Sequence, residues 1–155
     1  MNDNIVSELT EATLRTWHRA DLQDLVSLLF GDMYEKEISE ERLLRILHNP
    51  MQHIVVALVD DIIVGAALVS IVEMLSRKVA LYEDFVINSE FRGMGIAQEM
   101  DRYIIELGRR EDCDCMELLV PLNGVAVQRL HLKSGFRFRS QLPMNLVYKQ
   151  WTRRT

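Results

Sequence analysis

The segment HIVVALVDDIIVGAALVSIVEM (His53 to Met74) constrains the fold most strongly. Two runs rich in β-branched residues flank Asp60-Asp61, which reads as two strands joined by a tight hairpin turn. RKVALYEDFVI (Arg77 to Ile87) follows at once as another strand. Upstream, ATLRTW (Ala12 to Trp17) alternates and reads as a first strand. Asp21 opens DLQDLVSLLF, with Asp24 in an acidic first turn, and Ser39 is placed to cap a second helix through EERLLRILHN, which Pro50 helps to stop.

Downstream, Ala97, Met100, Ile104 and Leu107 form an apolar stripe at helical spacing between Gly95 and Glu111. Gln98 with Arg102, and Glu106 with Arg110, are polar i,i+4 pairs on the other side. CMELLVPL (Cys115 to Leu122) reads as a buried fifth strand, and NGVAVQRLHLKSG (Asn123 to Gly135) as a shorter helix closed by Gly135. FRF (Phe136 to Phe138) and MNLVYKQW (Met144 to Trp151) supply two closing strands. The expected fold is α/β (α+β), a mixed layer structure around one sheet.

A chain of 155 residues is expected to form one domain over 1–155, with a core that needs no metal or crosslink. A net charge of -5 argues against nonspecific nucleic-acid binding, which requires a basic footprint. Arg109-Arg110 reads as a helix C-terminus and Arg153-Arg154 as a solvated tail. Cys113 and Cys115 have no companions at zinc spacing, and a disulfide between them would be strained, so free thiols and no metal are expected. No apolar run suits a signal peptide or a membrane span, giving the expectation of a cytoplasmic protein with no membrane partner.

The strand ending at Ile87 runs through NSEFRGMG into the helix. Gly93 and Gly95 permit positive φ and let backbone N–H groups approach a ligand closely. The following helix adds its unsatisfied N-terminal donors and positive dipole end, which suits a pyrophosphate. Arg92 could add a cation or brace the loop. A plain tight turn explains two glycines equally well, because neither a nucleoside-triphosphate loop nor a three-glycine dinucleotide fingerprint is present.

RGMGIA, however, resembles the arginine/glutamine-x-x-glycine-x-glycine/alanine signature of the GNAT superfamily of N-acetyltransferases, with Arg92, Gly95 and Ala97 at the marked places. VALYEDFVINSEF resembles that family's central strand. NGVAVQRLHLKSGF is similar to its second signature, through Asn123, Ala126, Gly135 and Phe136. The resemblance runs in outline from Leu14 to about Tyr148. It implies a twisted mixed sheet of about six to seven strands flanked by about four helices, with splayed central strands, and acetyl-CoA (coenzyme A) as acyl donor. The pantetheine arm would pair with backbone at Phe85, Val86 and Ile87. The phosphates would lie on Arg92, Gly93, Met94, Gly95, Ile96 and Ala97. Asn123 takes the place of a cofactor-contacting asparagine; as a residue, it is also a good helix N-cap.

Acetyl transfer to an amine requires removal of a proton, since an amine with a pKa near 10.4 is neutral in only about one molecule in a few thousand at pH 7. YEDFV resembles the strand of polyamine- and aminosugar-type acetyltransferases in which the glutamate is assigned as base, which makes Glu83 the candidate here. Alternation puts Glu83 and Asp84 on opposite faces, so at most one serves. Either carboxylate could instead face solvent or pair with a cation such as Arg92. Many relatives carry an acid tyrosine four residues before the closing glycine; this chain has His131, which could donate as imidazolium or only pack.

Asp32, Glu35, Glu37, Glu40 and Glu41 lie where the family forms its acceptor site. They could form an acidic rim that attracts a small cationic amine, or an ordinary solvated charge run. The expected activity is acetyl transfer to a small-molecule primary amine. Transfer to a protein or peptide amine, and a noncatalytic acyl-CoA sensor on the same scaffold, are the rival readings. The apolar LVY at Leu146 to Tyr148 could support a homodimer.

Overall fold

The computed structural model describes residues 13–16, 21–32, 39–141, 144 and 146. Five strands, β1 (Thr13–Thr16), β2 (Gln52–Val59), β3 (Ile62–Glu73), β4 (Lys78–Ile87) and β5 (Cys115–Leu118), form one sheet in that order. Neighbouring strands are antiparallel except β4 and β5, which are parallel. A parallel pair needs a long crossover, and a helix supplies it. Among the described residues the α-helices are α1 (Leu22–Asp32), α2 (Glu40–Leu47), α3 (Ile96–Arg110) and α4 (Val125–Lys133).

Each sheet face carries its own core. Ile54, Val56, Leu58, Ile63, Ala66 and Val86 pack beneath Leu25, Leu28 and Leu29 of α1 and Leu43 of α2. Val55, Ala57, Val64, Ala67, Val69, Ala80, Tyr82 and Ile87 face Ile96, Met100, Ile104 and Leu107 of α3 on the other side. With both faces covered, β2 from Ile54 to Leu58 and β3 from Ile63 to Ala67 are continuous buried runs rather than alternating ones.

The hairpin turns at Asp60 and Asp61, with φ of 50° and 61° and Val59 opposite Ile62. Positive φ at both central residues matches the two-residue turn whose twist suits a hairpin, and aspartate tolerates it better than most side chains. Ser39 stands at the N-cap of α2, but its side chain makes no cap hydrogen bond; its carbonyl accepts from Arg42 and Leu43. The surface pairs of α3 are i,i+3, Glu99 with Arg102 and Glu106 with Arg109, in place of the expected i,i+4 pairs. Arg110 instead lies over the Tyr103 ring at 5.5 Å.

Among the described residues the sheet has five strands, fewer than the expected six to seven. Phe136 to Phe138 form none. The reason is local: Phe136 N–H donates to His131 O and Gly135 N–H to Leu132 O, with Gly135 at φ 104°, which is the paired bonding that closes a helix. The expected strand from Met144 to Trp151, and the LVY segment within it, fall mostly outside the described residues; Met144 and Leu146 belong to no strand. β5 is a short, half-buried edge, not a buried strand, and Leu119 beyond it is exposed. Cys113 and Cys115 are free thiols. Among the described residues no helix is long and apolar enough to cross a membrane.

Candidate functional site

β4 pairs with β3 along its length, but with β5 only from Val79 to Tyr82. The last pair is Tyr82 with Leu118; β5 ends there while β4 continues to Ile87, so the β4–β5 pairing stops and the two strands part. A bulge begins at the same point. Leu68 stands opposite Glu83 and Ala66 opposite Val86, so Asp84 and Phe85 together face Ala67. Asp84 takes the extra position at φ 52°.

The bulge corrects the expectation of simple alternation along this strand. Unbroken period-2 geometry would put Phe85 on the face of Glu83 and Val86 on that of Tyr82. Instead Phe85 and Ile87 pack with Tyr82 beneath α3, while Val86 joins the α1–α2 face. Glu83 is exposed, opposite Leu68, which packs against that same α1–α2 core. A carboxylate there lies at the start of the parting between β4 and β5.

The far end of β4 leads into the glycine turn. Asn88 accepts from Glu90 N–H and sets the short 3₁₀ turn Ser89–Phe91. Arg92 Nε donates to Ile87 O at 3.1 Å, so this side chain braces the loop against the end of the strand. Gly93 and Gly95 have φ of 78° and 85°, and a Cβ added to either would meet nothing within 4 Å. Among the described residues no backbone carbonyl accepts from the amides of Gly93, Met94, Gly95, Ile96 and Ala97. Open glycine faces and these amides at the start of the 15-residue α3 suit an anionic group such as a pyrophosphate.

Asn123 is exposed in the turn before α4 and is not the N-cap; Gly124 is, and no side chain caps the helix there. Gln128 of α4 reaches back to Pro121 O and Leu122 O at 2.6 and 3.0 Å.

His131 is buried on α4 near the parting of β4 and β5. Its Nδ1 lies 3.0 Å from Oδ2 of Asp101, a carboxylate of α3 with no exposed surface. Ser134 Oγ donates to the same oxygen at 2.6 Å, and Tyr82 OH donates to Oδ1 at 2.9 Å. Buried polar groups need partners, and this carboxylate has three. The imidazole also touches the rings of Tyr82, Phe85 and Phe136 with centroids 5.5–5.9 Å away. Burial, then the charge of Asp101 and its hydrogen bond, hold the Tyr82 phenol well above its ordinary pKa, so it stays a donor.

Asp101, Tyr82 and Ser134 were not among the residues expected from sequence. The available signal was Asp101 itself, four residues after Ala97 and three before Ile104, hence on the buried face of an amphipathic helix where a carboxylate demands partners. In the acidic region, Glu41 is tied to Arg45 at 2.6 Å and Glu40 is exposed in the first turn of α2. Glu35, Glu37 and the side chain of Asp32 lie outside the described residues.

The model of the acetyltransferase (GNAT) family matches residues 12–136. No curated protein sequence matches the chain. Among solved structures, a transcriptional regulator from Bacillus halodurans C-125 superposes with a TM-score of 0.80 at 22% identity, covering 89% of this chain and 100% of that one. AAC(6')-Iy in complex with a bisubstrate analog, CoA-S-monomethyl-acetylneamine, gives 0.76 at 17% identity, over 90% of this chain and 99% of its own. Glucosamine-6-phosphate N-acetyltransferase from Arabidopsis thaliana gives 0.74 at 18%, over 89% and 99%.

Proposed function

The chain belongs to the GNAT family of acetyltransferases, and on that premise we propose that it moves an acetyl group from acetyl-CoA to the primary amine of a small cationic molecule. The observation that carries this reading is continuous in space. Past Tyr82, its last pair with β5, β4 continues to Ile87 and leads into a loop whose glycines are open to an anion and whose amides meet no backbone carbonyl among the described residues. The backbone of Phe85, Val86 and Ile87 would pair with the pantetheine amides. The amides of Gly93 to Ala97 would hold the phosphates, and Arg92 would keep the loop in place. Asn123, exposed before α4, would make a further contact to the donor.

Glu83 is the base. It is exposed on the α1–α2 face just past the last β4–β5 pair, where a carboxylate can take the ammonium proton directly or through water. The neutral amine then attacks the thioester carbon. His131 is the group nearest the fork that could return a proton to the departing sulfur. The preference for a cationic acceptor rests on the carboxylates from Asp32 to Glu41, weakened by the engagement of Glu41 with Arg45.

The test is acetyl-CoA-dependent release of free coenzyme A across polyamines, aminosugars, amino acids and short peptides, with donor binding measured in parallel. Release with cationic small amines is expected. Release only with peptides would redirect the acceptor to a protein amine. The histidine in place of a tyrosine favours a sensor as the second reading, and binding with no release for any acceptor would support it. Glu83→Gln is expected to lower kcat by roughly 100-fold while acetyl-CoA affinity is kept. A variant with the wild-type rate and pH profile would remove Glu83 from the mechanism.

A further inference from the structure

The Asp101 cluster does more than satisfy a buried charge. Both of its carboxylate oxygens already accept hydroxyl protons, Oδ1 from Tyr82 and Oδ2 from Ser134. A carboxylate only accepts, so at 3.0 Å from Oδ2 the Nδ1 of His131 is the end of the ring that carries a proton. The imidazole is left with Nε2 as its only other nitrogen. The rings of Tyr82, Phe85 and Phe136 surround it, and the titratable groups facing it are Asp101 from α3 and Tyr82 from β4. Tyr82 is the last β4 residue paired with β5 and Phe85 lies beyond it, so the imidazole sits at the fork where the two strands part.

We infer that Asp101 is a positioning residue for proton transfer: it fixes His131 with Nδ1–H on its own carboxylate, so that Nε2–H of the imidazolium protonates the departing thiolate. This deepens the transfer reading and rests on it. As the C–S bond breaks, its electron pair leaves on sulfur, and the Nε2 proton moves to that sulfur to give the thiol. His131 remains as neutral imidazole with Nδ1–H still on Asp101, and Nε2 is reprotonated from water. The proton lost by the amine goes to Glu83. Tyr82 and Ser134 complete the cluster by holding Asp101 itself, one to each oxygen.

The experiment compares wild type, Asp101→Asn, His131→Gln and the double variant in steady-state coenzyme A release, with the best amine from the acceptor panel. Each single variant is expected to lower kcat by roughly tenfold or more and to leave the acetyl-CoA KM within about twofold. The double variant should be no slower than His131→Gln, because Asp101 acts through the histidine. Nitrogen-15 NMR of the histidine ring in unmodified protein gives a reading that needs no variant: Nδ1 is protonated in both the neutral and charged forms. A bare Nδ1 in the neutral ring overturns the inference. So does Asp101→Asn with wild-type kcat, or with an undiminished effect in the His131→Gln background, which would mark Asp101 as a folding residue only. Donor binding by wild type without release for any amine would instead bring down the transfer reading itself.

Discussion

Gly95 sits at φ 85°, and a methyl group placed there would meet no atom within 4 Å. The requirement for glycine is therefore conformational on the protein side and spatial on the ligand side. An L-residue in this region costs about 1–2 kcal/mol, which for a domain of this size lowers Tm by roughly 2–8 °C. Gly95→Ala should show that loss, with acetyl-CoA binding weakened in part. Gly95→Arg should fold with a similar Tm loss and abolish binding, because the long side chain enters the space where the phosphates would lie. Thermal melts and a donor titration on both variants check the pair. An Arg variant that binds like wild type removes this turn from the donor site. Gly93 and Gly95 were legible as residues because no other side chain shares their tolerance of positive φ. The use of Arg92 as a brace was not, since a cation beside a glycine turn suits an anion and a strand carbonyl alike.

At the level of elements, β4 decides the site, and its bulge is the part the sequence concealed. Alternation predicts Glu83 and Asp84 on opposite faces, but nothing in the letters states that Asp84 leaves the ladder at φ 52° and reverses the faces of Phe85 and Val86. Aspartate is among the few side chains that accept this conformation, so an acidic pair inside an apolar strand is in hindsight a bulge signal as well as a catalytic one. Asp84→Val should be less stable than Asp84→Gly by about 1–2 kcal/mol, since a β-branched residue resists positive φ and glycine does not. Denaturant midpoints of the two variants decide it, and equal values would mean that the bulge is set by neighbouring packing alone. The end of α4 was the opposite case. Gly135 predicts its stop, and the two hydrogen bonds from Gly135 and Phe136 account for that, but the same bonds hold Phe136 against His131 and away from a closing strand.

The whole molecule is held around the fork by contacts that no local pattern could reveal. Asp101 on α3 joins Tyr82 on β4 to His131 and Ser134 at the end of α4, across sequence separations of 19 to 33 residues. Periodicity assigned each element, yet only their packing brings these four side chains together. The cluster also makes stability depend on pH in a defined direction. Tyr82 is protonated in the folded protein well above the reference value of 10.0, whereas in the unfolded chain it ionises near that value. Between the two, the unfolded state binds fewer protons, so folding stability falls as pH rises. Below about pH 10 the contribution of the neutral phenol is fully present. Above it, the loss attributable to Tyr82 approaches ~1.4 kcal/mol per pH unit, the value for one proton. Tyr82→Phe removes this titration along with the hydrogen bond to Asp101. The variant should be less stable by about 1–3 kcal/mol at neutral pH, with a shallower decline than wild type above pH 10. Urea unfolding from pH 7 to 11 on both proteins measures the two slopes. Parallel declines would mean that the phenol ionises equally in the folded and unfolded chains, and that the cluster is open to water at Tyr82.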